Sequence, residues 1–264
     1  MTTLALIKPP WHFPVILYLG DWRVPVHPVF DVLAYFIGFQ FYLYLKRRAP
    51  GPQFSWEQNA WILVGAIFGA LIGAKLLAWM EAPGLYWSLR HDPNFWFGGK
   101  TIVGGLLGGW IGIELAKKAL GLTQSTGDLC VYPLILGMCI GRIGCFLTGL
   151  SDDTCGVRTS LPWGVDYGDG IPRHPAQIYE ILFLIALGTV LWLKRESFTI
   201  PGLKFRWFII GYLSFRLYID FFKPHWTLFA GLSGIQWGCL VALLFCAYSV
   251  MKLSENPTPE NSHV

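Results

Sequence analysis

The chain has 264 residues, of which 54% are hydrophobic, 16% aromatic and only 14% charged, with a formal net charge of +4. An ordinary soluble domain carries about 25% charged residues, so the deficit points to lipid as the solvent. The basic residues sit in short clusters between apolar blocks rather than in a stripe with interleaved aromatics, which argues against nucleic acid as a partner.

Met1 to Pro28 is aromatic and contains several prolines, as suits a segment lying at a membrane interface. It has no basic start leading into a clean apolar run, so no cleavable signal peptide is expected. A spanning helix needs about 20 mostly apolar residues, and about seven such blocks follow. They are Val29 to Leu45, Trp61 to Met80, Ile102 to Leu120, Leu129 to Thr148, Ile178 to Leu193, Trp207 to Phe222 and Leu228 to Met251. They are apolar all round, without the period of a half-buried element. The expected fold is therefore an all-α integral membrane protein. Residues 1–253 form a single membrane domain, and residues 254–264 a polar, disordered cytoplasmic tail.

With the N-terminus outside, the inner segments hold Lys46, Arg47, Arg48, Lys117, Lys118, Lys194, Arg195, Lys204, Arg206 and Lys252. The outer segments hold fewer basic residues, and the two long loops at 81–101 and 149–177 fall outside, where long loops weigh little in the positive-inside rule. The expected topology is N-terminus out and C-terminus in. Of the six cysteines only Cys155 lies in a polar loop, and no His/Cys ligand spacing appears, so neither a disulfide framework nor a metal site is expected. No cofactor is called for.

Glycines recur every fourth residue at Gly65, Gly69 and Gly73, again at Gly104, Gly108 and Gly112, and at Gly137 and Gly141. Small residues at this spacing let helices approach closely in lipid.

Lys75, Arg142, Arg216 and Asp220 lie inside apolar blocks, where each charge costs at least ~2.5 kcal/mol. In the expected topology the second, fourth and sixth blocks all run outward, and each cation precedes the outer end by a similar number of residues. At 1.5 Å per residue, Lys75, Arg142 and Arg216 share a layer roughly 8 to 9 Å below the outer boundary. Tyr212, Arg216, Asp220 and Lys223 are spaced for one helical face. Asp31 and Glu180 start inward-running helices near the same level, and Lys100 precedes the third. One reading is a cavity open to the outer leaflet in which guanidinium groups hold a phosphate. The other is an internal ion-pair network, with Asp220 neutralising Arg216, and Asp31 or Glu180 neutralising Lys75 or Arg142. All six histidines are expected outside the spans.

The run Gly141-Arg142-Ile143-Gly144-Cys145-Phe146-Leu147-Thr148-Gly149 resembles the signature of the prolipoprotein diacylglyceryl transferases of bacterial plasma membranes. The likeness continues through Thr159 to Gly164, Arg173-His174-Pro175-Ala176-Gln177-Ile178-Tyr179-Glu180, the run Gly104-Gly105-Leu106-Leu107-Gly108, and Arg216 to Lys223. The resemblance implies an enzyme that moves the diacylglyceryl group of phosphatidylglycerol to the thiol of a lipobox cysteine in a preprolipoprotein, releasing glycerol phosphate. It implies that Arg142 and Arg216 hold the phosphate and that Tyr212, Asp220, Lys223 and Lys75 belong to the site. Gly104 and Gly105 would line it.

The sequence departs from the family pattern at four places. Val103 stands where a histidine precedes the Gly-Gly run, Asp31 about where a tyrosine is expected, Cys145 where asparagine is frequent, and Leu150 where an acidic residue follows the signature. Asp31, Asp220, Glu180 or His174 could replace the missing base. The alternative expectation is a phospholipid-binding or lipid-moving protein that keeps the head-group site without the transfer step.

Overall fold

The computed structural model describes residues 12–49, 54–92, 99–152, 154–224 and 227–255; most of the sequence-expected tail lies outside them. Those residues are mostly helical. A hairpin of β1 (Ile16–Leu19) and β2 (Trp22–Pro25) precedes α1 (Val26–Arg48) and α2 (Trp56–Glu81). The short α3 (Pro83–Ser88), α4 (Ile102–Ala119) and α5 (Gly127–Thr148) follow. A small hairpin, β3 (Val165–Asp166) with β4 (Pro172–Arg173), leads to α6 (Ala176–Leu193), α7 (Leu203–Ile219) and α8 (Gly234–Glu255).

Among the described residues, five helical segments are long and apolar enough to cross a membrane: Val26–Arg48, Trp56–Glu81, Gly127–Asp152, Ala176–Leu193 and Gly234–Leu253. The other two long helices are shorter or more charged. The 18 residues of α4 include Glu114, Lys117 and Lys118, and the 17 of α7 include Lys204, Arg206 and Arg216.

Local chemistry explains most boundaries. Gly20, with φ of 62°, turns the first hairpin and pairs Leu19 with Trp22, as a two-residue loop with glycine first requires. α1 opens at Val26, three residues before the sequence-expected start at Val29. Pro28 is no obstacle there, because a first-turn N–H has no helical partner to lose. Ser55 caps α2 in a reciprocal box with Gln58, so that helix starts five residues before Trp61. α8 opens at Gly234 rather than Leu228. The residues before it turn through Ala230 and Gly231, both with positive φ, and close a bridge between Phe229 and Leu232.

The chain divides into two compact units. The first comprises Met1–Ala49, Gly127–Phe198 and Tyr218–Pro224. Within it α5 packs on α1 and α6. Gly38 of α1 faces the Pro133 carbonyl, Gly137 faces that of Ala34, and Gly144 leaves room for Phe30. The stretch after α5 folds over its own small core of Cys155, Val165 and Tyr167, against which Phe13 and Phe146 pack. The Val15 N–H donates to the Leu147 carbonyl at 2.9 Å and ties the N-terminal strand to the end of α5.

The second unit comprises Pro50–Thr126, Thr199–Leu217 and His225–Val264. Its centre is the pairing of α2 with α4, in which Gly65, Gly69 and Gly73 lie against Gly112, Gly108 and Gly104. A Cβ at any of the six would strike the opposing backbone, so the four-residue glycine spacing serves close helix packing as expected. Thr101 caps α4 by accepting the Gly104 N–H at 3.2 Å, and its hydroxyl donates to the Ala74 carbonyl of α2. α8 joins through Gly234 against the Met80 backbone, and the Ile235 N–H donates to Glu81 Oε2 at 2.8 Å. Phe208, Ile209, Tyr212 and Leu213 of α7 are fully buried.

Candidate functional site

Arg142 lies in the last two turns of α5, and Glu180 in the second turn of α6. The packing of these helices brings Arg142 Nε to 2.9 Å from Glu180 Oε2, with both side chains buried. Of the pairings left open by the sequence, this one forms. Arg142 Nη1 also reaches Cys145 Sγ at 3.5 Å, one turn further along α5.

Cys145 leads to a group not expected from sequence. Its sulfur lies 3.5 Å from His27 Nε2, and the same nitrogen lies 3.1 Å from Asp152 Oδ1. On the other side of the ring, Nδ1 is 3.4 Å from Asp31 Oδ2, one turn along α1. Asp152 closes the 3₁₀ turn that continues α5, and the Thr154 hydroxyl donates to its second oxygen. His27 was expected outside the helices. It stands in the first turn of α1 because that helix begins at Val26, and the position turns its ring toward α5. Asp31, expected near the membrane charges, instead partners this histidine.

His174 lies just before α6. Its Nδ1 is 3.2 Å from the Tyr179 hydroxyl, which accepts a 2.7 Å bond from Trp163 Nε1. Its ring packs on Phe222, and burial holds its pKa below the ordinary imidazole value. Gln177 accepts from the Tyr167 hydroxyl at 3.1 Å and donates to Thr154 Oγ1, so the folded cap is tied to α6.

Tyr212 and Arg216 are buried on α7 in the second unit, and Asp220 and Lys223 are buried in the first. The expectation that all four share one helical face holds only in part. The α-helix ends at Ile219, and Asp220–Phe222 tighten into a 3₁₀ turn. Lys223 follows with φ −112° and ψ 150°, in extended backbone, because Pro224 disfavours helix in the residue before it. Lys75 on α2 and Lys100 before α4 are brought side by side in the second unit, where Thr101 bonds to the carbonyl of Ala74. Gly104 is a packing position against Gly73, whereas Gly105 has its nearest neighbours 3.8 Å from a built Cβ. Val103, where the family pattern would place a histidine, is fully buried.

Comparison with known proteins bears on the whole chain. Residues 14–252 match the family described as prolipoprotein diacylglyceryl transferase. The chain is 31% identical over 261 residues to the phosphatidylglycerol–prolipoprotein diacylglyceryl transferase of Nitrosomonas europaea, covering 84% of this chain and 92% of the relative. It is 32% identical over 244 residues to the enzyme of that name from Methylobacillus flagellatus, covering 85% and 90%. Against that of Geobacter sulfurreducens it is 31% identical over 207 residues, covering 72% and 76%. With a family match over residues 14–252, the chain belongs to the prolipoprotein diacylglyceryl transferase family.

Proposed function

We propose that this protein transfers the diacylglyceryl group of phosphatidylglycerol to the cysteine thiol of a preprolipoprotein lipobox and releases glycerol phosphate. The observation that carries the reading is Arg142, buried within the family's signature and ion-paired with Glu180 at 2.9 Å. Displacement at the carbon next to a phosphate ester needs a preorganised cation where the leaving group gathers charge. We assign that role to Arg142 and Arg216, and assign Lys75, Lys100, Lys223, Tyr212, Asp220, His174, Gly104 and Gly105 to the same reaction from their places in the sequence motifs and charge pattern. The protein is a single membrane domain of about seven spans, N-terminus outside, in a bacterial inner membrane, so that the head-group site opens to the outer leaflet.

The test is release of glycerol phosphate by purified protein from phosphatidylglycerol vesicles and a lipobox peptide. Arg142→Ala and Arg216→Ala are expected to abolish it, and full release by both variants would contradict the assignment. Fully buried Val103 favours a second reading, a lipid-binding or lipid-moving protein without transfer chemistry, since an uncharged side chain occupies the place of a candidate base. That reading requires saturable phosphatidylglycerol binding with no glycerol phosphate formed at any thiol concentration.

A further inference from the structure

In the first unit, one side chain at the start of α1 and two from the end of α5 and its 3₁₀ continuation bring one donor atom each close together. His27 Nε2, Cys145 Sγ and Asp152 Oδ1 offer one nitrogen, one sulfur and one oxygen, and the group's ligand atoms all lie within 4.8 Å of one another. The separations of 3.1 Å from nitrogen to oxygen and 3.5 Å from nitrogen to sulfur have a specific meaning. Bonds of about 2.0 Å to nitrogen or oxygen and about 2.3 Å to thiolate set the edges of a tetrahedron at roughly 3.3 to 3.5 Å.

The outer contacts point the same way. Asp31 on His27 Nδ1 leaves Nε2 as the nitrogen facing the sulfur, and Thr154 holds the second oxygen of Asp152 while the first faces His27. A carboxylate behind the histidine and a hydrogen bond behind the carboxylate are what orient metal ligands. Arg142 Nη1 lies 3.5 Å from Cys145 Sγ and holds the sulfur on its buried side. Cys145 is buried, whereas His27 and Asp152 keep 30% and 14% of their side chains exposed, so the group opens on one side.

We infer that His27, Cys145 and Asp152 form a site for a divalent metal of the zinc class, with one coordination position open to a thiol. A mixed nitrogen, sulfur and oxygen set suits zinc and disfavours magnesium or calcium. The thiol half of the inference rests on the transferase reading. There the site would supply the thiolate that the transfer needs. A metal held by His27, Cys145 and Asp152 would bind the acceptor thiol and lower its pKa, the proton passing to water. The thiolate sulfur then forms the bond to the diacylglyceryl carbon as the carbon–oxygen bond to phosphate breaks, and the electron pair leaves with glycerol phosphate. The metal is unchanged.

The experiment is metal analysis of protein purified without chelators, followed by replacement with cobalt(II) and absorption spectroscopy. About one zinc per chain and a sulfur-to-cobalt charge-transfer band are expected. Cys145→Asn, which carries the residue frequent in the family, should remove the band while keeping the thermal midpoint of metal-stripped wild type. Asp31→Asn should weaken metal affinity about 10- to 100-fold without removing any of the three ligands. A lipobox cysteine peptide should strengthen the band, and its serine counterpart should not. Metal-free protein that still releases glycerol phosphate at the full rate overturns the site and leaves the transferase reading standing. Stoichiometric metal with a Cys145-dependent band but no transfer supports the site and removes that reading with its thiol step. A histidine bridging two carboxylates, with no metal taken up, overturns the inference outright.

Discussion

Arg142 Nε stands 2.9 Å from Glu180 Oε2, and the two side chains retain only 5% and 0% exposure. Removing one partner strands a buried charge, a loss of about 3 to 5 kcal/mol, whereas replacing both with apolar side chains is far less costly. Glu180→Ala should therefore lower the thermal midpoint in detergent sharply, and Arg142→Met with Glu180→Leu should recover most of the loss while remaining inactive. A double variant as unstable as the sum of the two single ones would show that the pair does not couple.

The glycine seam between α2 and α4 predicts a contrast between neighbouring residues. A side chain at Gly108 must strike the Gly69 backbone, while a methyl group at Gly105 meets its nearest atoms at an ordinary 3.8 Å. Gly108→Leu is expected to prevent stable accumulation, since even modest overpacking costs about 1 to 3 kcal/mol. Gly105→Ala should leave the yield and the thermal midpoint unchanged. Equal tolerance of the two substitutions would rule out backbone contact at this seam.

Burial lowers the pKa of His174, so the folded protein binds fewer protons there than the unfolded chain. Stability then rises with pH through the imidazole range and falls as pH drops below about 6.5. Thermal midpoints measured from about pH 8 down to about pH 5 should decline, and His174→Asn should flatten that slope relative to wild type. An unchanged slope in the variant would place the acid sensitivity elsewhere.

Thr101 makes two bonds with one hydroxyl, accepting from the Gly104 N–H and donating to the Ala74 carbonyl. Thr101→Ala should cost about 1 kcal/mol, the usual value of a helix N-cap. Thr101→Ser keeps the oxygen and should restore most of the midpoint. If serine behaves like alanine, the methyl group rather than the hydroxyl carries the effect.

Much of the fold was legible in the sequence because lipid imposes a simple rule on it. Long apolar blocks mark helices, and the four-residue glycine spacing marks the faces that touch, as Gly65 to Gly73 against Gly104 to Gly112 bear out. The pairing of Arg142 with Glu180 was one of several the charges allowed, and choosing among them needed the packing of α5 on α6. The departure of Lys223 from the helical face was also readable, since Pro224 follows it. The grouping of His27, Cys145 and Asp152 was not. Its members come from the first helix and the end of the fifth, and hydropathy places the start of α1 three residues late, which leaves His27 in a loop. The one signal was Cys145 itself, at a position where asparagine is frequent.

The contact between α2 and α4 is backbone on backbone at six glycines, with alanine methyls such as those of Ala70, Ala74 and Ala116 beside them, so these helices cannot adjust by small rotamer changes. The nearest alternatives are slips by one glycine repeat in either direction, about 6 Å along the axis; one of them sets Gly69 opposite Gly104, and each gives up one of the three pairings. Thr101, anchored to Ala74, acts as a latch against that step: the pair behaves as a ratchet held at one tooth.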